Sequence, residues 1–145
     1  MRLNELGERK VIRQILNQNR PWKPDDCYAM ENGEEYILIS SDIISKESHI
    51  PTMQYPELIG RFAANVNLSD IAAMAAIPEG MTVSYVVDGN TEDSFLEAVH
   101  RGITEELKRN DADIFGGDTK EGHGFVIGGP TQCVGMANYL SWLNM

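Results

Sequence analysis

The sequence predicts a single domain of the α/β (α+β) class, and three observations support this class. Extended apolar runs alternate with helical periodicities along 145 residues, a length sufficient for one domain with its own core. An Asn32-Gly33 pair separates two extended runs, as the turn of a β-hairpin does. Residues 56–78 are apolar on nearly all sides, which is typical of a helix buried inside a domain.

The N-terminal part predicts a helix followed by a hairpin. Residues 4–18 carry apolar side chains at helical spacing, and the predicted helix ends before Pro21 and Pro24. The predicted hairpin pairs residues 27–30 with residues 35–40. We expect an open connection, without regular structure, over residues 43–55 that follow.

The C-terminal half predicts three strand regions around one amphipathic helix. Its elements are a strand over 81–87, a helix that begins after Asn90 or Thr91 and ends near Arg109, a strand over 112–115, and a strand over 124–136 that is interrupted at Gly128-Gly129-Pro130. The helix has acidic residues in its first turn and basic residues in its last turn, which favours this placement.

Composition limits the classes of partner. The formal net charge of −10 argues against general binding to nucleic acids or anionic membranes. An acidic protein can still bind phosphates when divalent cations lie between its carboxylates and the ligand. The N-terminus lacks the apolar core of a signal peptide, and no segment is long and apolar enough to span a bilayer. Because Cys27 and Cys133 match neither a metal-ligand nor a disulfide pattern, we expect reduced thiols in a cytoplasmic protein.

Asp70 lies inside the long apolar helix, beside Asn67 and Ser69. An unpaired buried carboxylate is costly, so one interpretation has Asp70 facing a cation, a metal ion or several hydrogen-bond donors. In the other interpretation Asp70 caps a second helix that starts at Ile71. Periodicity alone leaves both interpretations open.

Four acidic positions recur at the predicted ends of elements: Asp25-Asp26, Asp42 after Ser40-Ser41, Asp70, and Asp118. Oxygen-only ligand sets of this kind suit Mg²⁺. Gly116-Gly117-Asp118-Thr119 follows a predicted strand and resembles a phosphate cradle, although the sequence of a Walker A loop is absent. Taken singly, each carboxylate is better explained as a solvated turn residue. His49 either binds an anionic substrate or is a simple loop histidine, and spacing alone favours the loop histidine.

In combination, these motifs resemble the N-terminal domain of thiamine-monophosphate kinases, in the aminoimidazole ribonucleotide synthetase superfamily. The resemblance runs from the first helix to about Ile127 and rests on four blocks in this order: Asp25-Asp26-Cys27; Ser40-Ser41-Asp42, with His49 seven residues later; Asn67-Leu68-Ser69-Asp70-Ile71-Ala72-Ala73-Met74; and Gly116-Gly117-Asp118-Thr119.

The resemblance implies a mixed sheet with helices on one face, which dimerises through the sheet and binds ATP and several Mg²⁺ ions near the dimer interface. In this family the γ-phosphoryl group of ATP passes to thiamine monophosphate and gives thiamine diphosphate. The motif positions imply these roles: metal ligands Asp26, Ser40, Ser41, Asp42, Asp70 and Asp118; catalytic residues Asp70 and Asp118; ATP contacts Gly117 and Asp118; and a substrate contact, His49.

The sequence departs from the family pattern in three places. Proline and tryptophan replace the usual glycine-rich lead into Asp25-Asp26, and Arg101 stands where the kinases have a tyrosine near the nucleotide base. Residues after Gly128 are expected to leave the pattern, and the family's C-terminal domain is expected to be absent from a single domain at 1–145. Two alternatives therefore stay open. One is a dimerising or regulatory module without turnover, and the other is a superfamily enzyme with a different substrate, of the aminoimidazole ribonucleotide synthetase, hydrogenase-maturation or selenophosphate synthetase type.

Overall fold

A computed structural model describes residues 2–16, 27–49, 55–128 and 132–138. In chain order the elements are α1 (Leu3–Leu6), α2 (Glu8–Val11), a π-helical turn (Ile12–Leu16), β1 (Tyr28–Asn32), β2 (Glu35–Ser41), β3 (Ile44–Ser45), α3 (Pro56–Ala73), β4 (Ile77–Val87), α4 (Asp93–Arg109), β5 (Asp113–Glu121), β6 (Phe125–Ile127) and β7 (Gln132–Asn138). None of the described helices has the length and apolar character needed to cross a membrane.

The strands form one mixed sheet that is centred on β4. One edge of β4 pairs in parallel with β5, and α4 makes the connection between these two strands. The other edge of β4 pairs antiparallel with β7 over its first half and with β6 over its second half. β7 continues the sheet to β2 and β1, whereas β6 continues it to β3. The predicted mixed α/β fold is therefore confirmed.

Helices α3 and α4 pack on a single face of the sheet. Strand side chains alternate between the two faces, and those facing the helices form the core together with the inner sides of the helices. Each fully buried aliphatic side chain of this kind contributes about 1.5–3 kcal/mol. The main members of the core are Leu38, Ile59, Ala63, Ile71, Met81, Val83, Val99, Ile103, Leu107 and Ile127.

The two helices meet backbone to backbone at two glycines. A Cβ atom on Gly60 would overlap the carbonyl oxygen of Val99, and one on Gly102 would overlap that of Glu57. The Arg101–Glu57 ion pair (2.6 Å) spans the same two helices. The pKa of Glu57 is lowered, first by a hydrogen bond from its own backbone N–H and then by Arg101. Because only glycine fits at these two positions, they set the distance between the helices.

Tyr85 carries the buried hydroxyl group of β4. Its oxygen lies 2.8 Å from Nδ1 of His100 on α4. The Tyr85 side chain is buried, and this burial raises the pKa of its phenol. The phenol is therefore kept neutral by the core.

Several predicted boundaries are confirmed and others are wrong. The predicted hairpin is confirmed by the pairing of Met30 with Ile37, but its two-residue turn is Gly33-Glu34, one residue after the predicted Asn32-Gly33. The predicted first helix is broken at Gly7, whose φ of +73° is incompatible with a continuing α-helix. Pro21 and Pro24, which were predicted to end that helix, lie outside the described residues.

Corrections also apply to the middle of the chain. α3 ends at Ala73 and not near Pro78, because Ala75 turns the chain with a φ of +53°. β4 begins four residues before its predicted start and accommodates Pro78 at an irregularity in its pairing with β7. Part of the predicted open connection at 43–55 forms β3, and α4 is preceded by Glu92 as N-cap, not by Asn90 or Thr91.

Replacing Gly60 or Gly102 with Ala should lower the free energy of unfolding by about 1–3 kcal/mol, since the added methyl group overpacks the contact between the helices. The measurement is urea denaturation. Glu105→Ala, on the exposed side of α4, is the control and should change stability by less than about 0.5 kcal/mol. A stabilisation of about 0.5–1 kcal/mol, the usual effect of Gly→Ala in an open helix, would contradict the close contact.

Tyr85→Phe should reduce the slope with which the free energy of unfolding falls at alkaline pH. The phenol's pKa is raised in the folded state, so the unfolded chain ionises first, near the ordinary value of about 10. The contribution of neutral Tyr85 to stability is thus complete below about pH 10 and is lost progressively as the pH rises from this value towards the higher pKa of the folded state. The variant should cost about 1 kcal/mol at neutral pH, for the lost hydrogen bond. Denaturation between about pH 8 and 11 tests this, with Tyr55→Phe as the control, because Tyr55 is exposed and lies outside the sheet. An unchanged alkaline slope would refute it.

Candidate functional site

The side chain of Asn67 joins the end of β2 to the middle of α3. It is 1% exposed. Its Oδ1 accepts a hydrogen bond from the backbone N–H of Asp42 (3.2 Å), and its Nδ2 donates to the carbonyl of Ala63 (3.0 Å). Both ends of the amide therefore have a partner, as a buried polar group requires. Asn67 was not predicted as a site residue; the available signal was an amide within an apolar helix.

Asp70 lies one helical turn after Asn67, and residues at this spacing are neighbours on a helix surface. Asp70 is inside α3, so the interpretation in which it caps a second helix at Ile71 is wrong. The Sγ of Cys27 donates to the backbone carbonyl of Asp70 (3.3 Å), which attaches the start of β1 to the same turn. Asp42 and Asp70 therefore share the corner around Asn67. Asp26, the neighbour of Cys27 in sequence, lies outside the described residues.

Ser40 and Ser41 lie on opposite faces of β2. Ser40 is 4% exposed on the helix-covered face, and its hydroxyl has no hydrogen-bond partner among the residues that the structure describes. A buried hydroxyl without a partner costs about 1–3 kcal/mol. Ser41 is exposed, because successive side chains of a strand alternate in direction. The two hydroxyls predicted as ligands of a metal cluster therefore do not lie side by side.

Asp118 lies on β5, away from this corner. Gly116-Gly117-Asp118-Thr119 is part of the strand, so the prediction that these residues follow the strand as a turn is wrong. Asp118 pairs with Ser84 of β4, and the carbonyl of Ser84 accepts a hydrogen bond from the N–H of Gly128 (2.9 Å). A Cβ on Gly128 would lie 2.8 Å from the carbonyl oxygen of Asp42. The backbones of Asp118 and Asp42 are thus about three strand spacings apart, roughly 14 Å.

The separation between Asp118 and Asp42 is too large for one Mg²⁺ ion to bind both residues, because Mg²⁺ binds its ligands at about 2 Å. Within the described ranges, no group of three or more His, Cys, Asp or Glu side chains is placed to hold a metal ion. A Mg²⁺ ion at Asp42 and Asp70 would therefore use one or two carboxylates and complete its coordination with water or phosphate oxygens, which is common for this ion.

Asp118 is exposed to solvent, whereas its neighbour Gly117 packs against β4. The Asp118 carboxylate is exposed; Oδ1 accepts a hydrogen bond from the N–H of Thr119 (2.9 Å), and Oδ2 lies 3.4 Å from Nζ of Lys120. An exposed ion pair of this kind contributes at most about 1 kcal/mol. A Cβ on Gly117 would overlap the carbonyl oxygen of Val83. Gly117 therefore allows β5 to approach β4 closely and so places Asp118.

His49 follows β3 in a turn at the surface. Its backbone N–H donates to the carbonyl of Ser45 (3.0 Å), while its Nδ1 accepts a hydrogen bond from the backbone N–H of Ser45 (3.2 Å). The hydroxyl of Ser48 lies 2.7 Å from the same nitrogen. The ring is exposed, so its orientation is set by Ser45 and Ser48 and not by packing.

Comparison with known proteins adds evidence from sequence. A family model, AIR synthase related protein, N-terminal domain, matches residues 24–137. The match continues through β7, so the expectation that the sequence leaves the family pattern after Gly128 is wrong. The thiamine-monophosphate kinase of Pyrococcus abyssi is 32% identical over 111 residues, which are 77% of this chain and 36% of that protein. The kinase of Methanocaldococcus jannaschii is 31% identical over 72% of this chain and 34% of its own length.

Solved structures agree on the fold. AaThiL complexed with AMPPCP and TMP superimposes with a TM-score of 0.87 at 24% identity, over 95% of this chain and 44% of that one. The protein tt0281 from Thermus thermophilus gives a TM-score of 0.83 at 25% identity, over 94% of this chain and 46% of that one. This chain spans about two fifths of the length of the curated relatives it matches.

Proposed function

The chain belongs to the AIR synthase related protein family, whose N-terminal domain it matches, and we propose that it is the ATP- and Mg²⁺-binding domain of a thiamine-monophosphate-kinase-like enzyme. The proposed reaction transfers the γ-phosphoryl group of ATP to thiamine monophosphate and gives thiamine diphosphate and ADP. Support comes from the relatives, which are thiamine-monophosphate kinases, and from the AMPPCP and TMP in the structure of AaThiL.

The observation that carries this proposal is the corner where Asn67 holds the end of β2 against α3. It brings Asp42 and Asp70 to one buried amide, near the Ser40 hydroxyl, which has no hydrogen-bond partner among the described residues. Donors that are all oxygen atoms fit Mg²⁺. We assign Asp42 and Asp70 as its ligands, with Ser40, Ser41 and Asp26 as further candidates.

Electrostatics explains why this chemistry suits an acidic protein. The formal net charge is −10, and both substrates of the proposed reaction are polyanions. When bound, Mg²⁺ neutralises phosphate charge and favours an in-line arrangement. The chain's residues would then position the reactants: Asp42 and Asp70 on one side, Asp118 and Gly117 from β5, and His49 near the phosphate of the substrate. No protein nucleophile is required for a direct transfer of this kind.

The open face of the sheet supports a homodimer. The open face is the side of the sheet that neither α3 nor α4 covers. It carries six apolar residues: Tyr28, Met30, Ile37, Ile39, Ile77 and Phe115. The register places Met30, Ile37 and Ile77 in one row across the sheet, by way of the backbone of β7. Ile77 is 70% exposed, Tyr28 62% and Phe115 55%.

Contiguous exposed apolar surface of this kind marks an interaction site. A second copy of the chain is the occupant that the family resemblance implies. We therefore propose that two copies pair through their open faces and that the nucleotide binds near this interface.

Binding of a non-hydrolysable ATP analogue should depend on Mg²⁺. Asp42→Asn and Asp70→Asn should each weaken it at least about tenfold, or about 1.4 kcal/mol, because each removes one carboxylate ligand. Calorimetric titration with and without Mg²⁺ measures both effects. Asp88→Asn is the matched control; Asp88 lies after β4, where hydrogen bonds from Asn90 lower its pKa. Equal affinity in the wild type and in both site variants would disprove the assignment.

The oligomeric state tests the second part of this proposal. Ile77→Glu should convert a dimer to a monomer, because it places a charge in the centre of the open face. Leu58→Glu is the control, since Leu58 is also exposed but lies on α3. Sedimentation at micromolar concentrations distinguishes the two species. A wild-type chain that is monomeric under these conditions would argue against pairing through the sheet.

A further inference from the structure

His49 is held by a small network at the end of β3. Nδ1 of the ring accepts a hydrogen bond from the backbone N–H of Ser45 and lies 2.7 Å from the Ser48 hydroxyl. The hydroxyls of Ser45 and Ser48 are themselves 2.5 Å apart, and the N–H of Ser48 donates to the Ser45 hydroxyl (3.3 Å). Two residues, Ser45 and Ser48, thus converge on one edge of the imidazole ring.

The backbone N–H of Ser45 is free of the pairing with β6 and can therefore donate to His49, because of its position in the sheet. β3 pairs antiparallel with β6, and the neighbouring N–H of Lys46 donates to the carbonyl of Phe125 (3.0 Å). In an antiparallel pair successive N–H groups point to opposite sides, so the N–H of Ser45 points away from β6. His49 provides an acceptor for this edge group.

This contact determines which ring nitrogen carries the proton. A backbone N–H can only donate a hydrogen bond, so Nδ1 must present its lone pair. In a neutral imidazole the proton then lies on Nε2, at the opposite edge of the ring. The ring is exposed, and in the described part of the chain Nε2 has no hydrogen-bond partner.

We propose that Ser45 and Ser48 fix His49 in its Nε2–H tautomer, so that the ring meets the phosphate of the substrate as a neutral hydrogen-bond donor and not as a base. Ser48 is then a positioning residue, which acts through His49. The substrate part of this inference rests on the proposed function, whereas the tautomer is a property of the free chain.

The tautomer can be measured without any ligand. The chain has only three histidines, His49, His100 and His123, so long-range ¹H–¹⁵N spectra of the labelled protein at alkaline pH are simple to assign. We expect the ratio of the Nε2–H to the Nδ1–H form to be about fivefold larger in His49 than in exposed His123, the effect of one net hydrogen bond. Ser48→Ala should reduce this excess. A His49 ratio equal to that of His123, or a majority Nδ1–H form, would overturn the proposal.

Ligand titration tests the role of the donor. Thiamine monophosphate should shift the His49 Nε2 resonance, whereas thiamine without phosphate should not. His49→Gln keeps an N–H donor and should bind within about threefold of the wild type; His49→Ala should lose about fivefold, equivalent to one hydrogen bond. Equal losses in both variants, or an unmoved Nε2 resonance, would overturn the donor role. A chain that binds no ATP analogue contradicts the proposed function, but the tautomer measured in the free chain still decides whether Ser45 and Ser48 hold the ring.

Discussion

The backbone contact between α3 and α4 determines where the candidate site lies. Gly60 and Gly102 bring the helices together, and their shared surface covers one face of the sheet. The position of α3 in turn decides whether Asn67 can reach the backbone N–H of Asp42 at the end of β2. Any residue larger than glycine at the helix contact would therefore move the helix that carries Asp70. The packing of the core and the geometry of the site are consequences of the same contact.

Elements with strong local signals could be predicted from the sequence. The Asn32-Gly33 pair predicted the hairpin, and the charged residues at both ends of α4 predicted the position of this helix. The family was also identified from short motifs. Elements that depend on distant pairing were missed: β3 has only two residues and exists because β6 lies beside it. The early start of β4 has the same origin, since pairing with β7 extends it across Pro78.

Prediction of the site was also limited by the difference between local signals, which the sequence carries, and contacts between distant residues, which it does not. The sequence indicated the carboxylates, and it placed Asn67 at the start of a motif block, but no pattern indicated that the Asn67 amide would hold the backbone of Asp42. The opposite directions of Ser40 and Ser41 follow from strand alternation once β2 is known to extend to Ser41. A strand at Gly116-Gly117-Asp118-Thr119 could not be foreseen, because its glycines suggested a turn and only the parallel pairing with β4 extends the backbone there.

The distance between Asp118 and the corner around Asn67 is compatible with a single nucleotide site. One ion cannot bridge the two groups, but each Mg²⁺ ion needs only one or two carboxylates when phosphate oxygens complete its coordination. A triphosphate is extended and carries oxygens along its whole length, so separate ions at its two ends can be held by separate carboxylate groups. In a chain with a net charge of −10, this separation also limits the repulsion between the carboxylates. Dispersed aspartates are therefore compatible with the proposed binding of a polyanion through more than one cation.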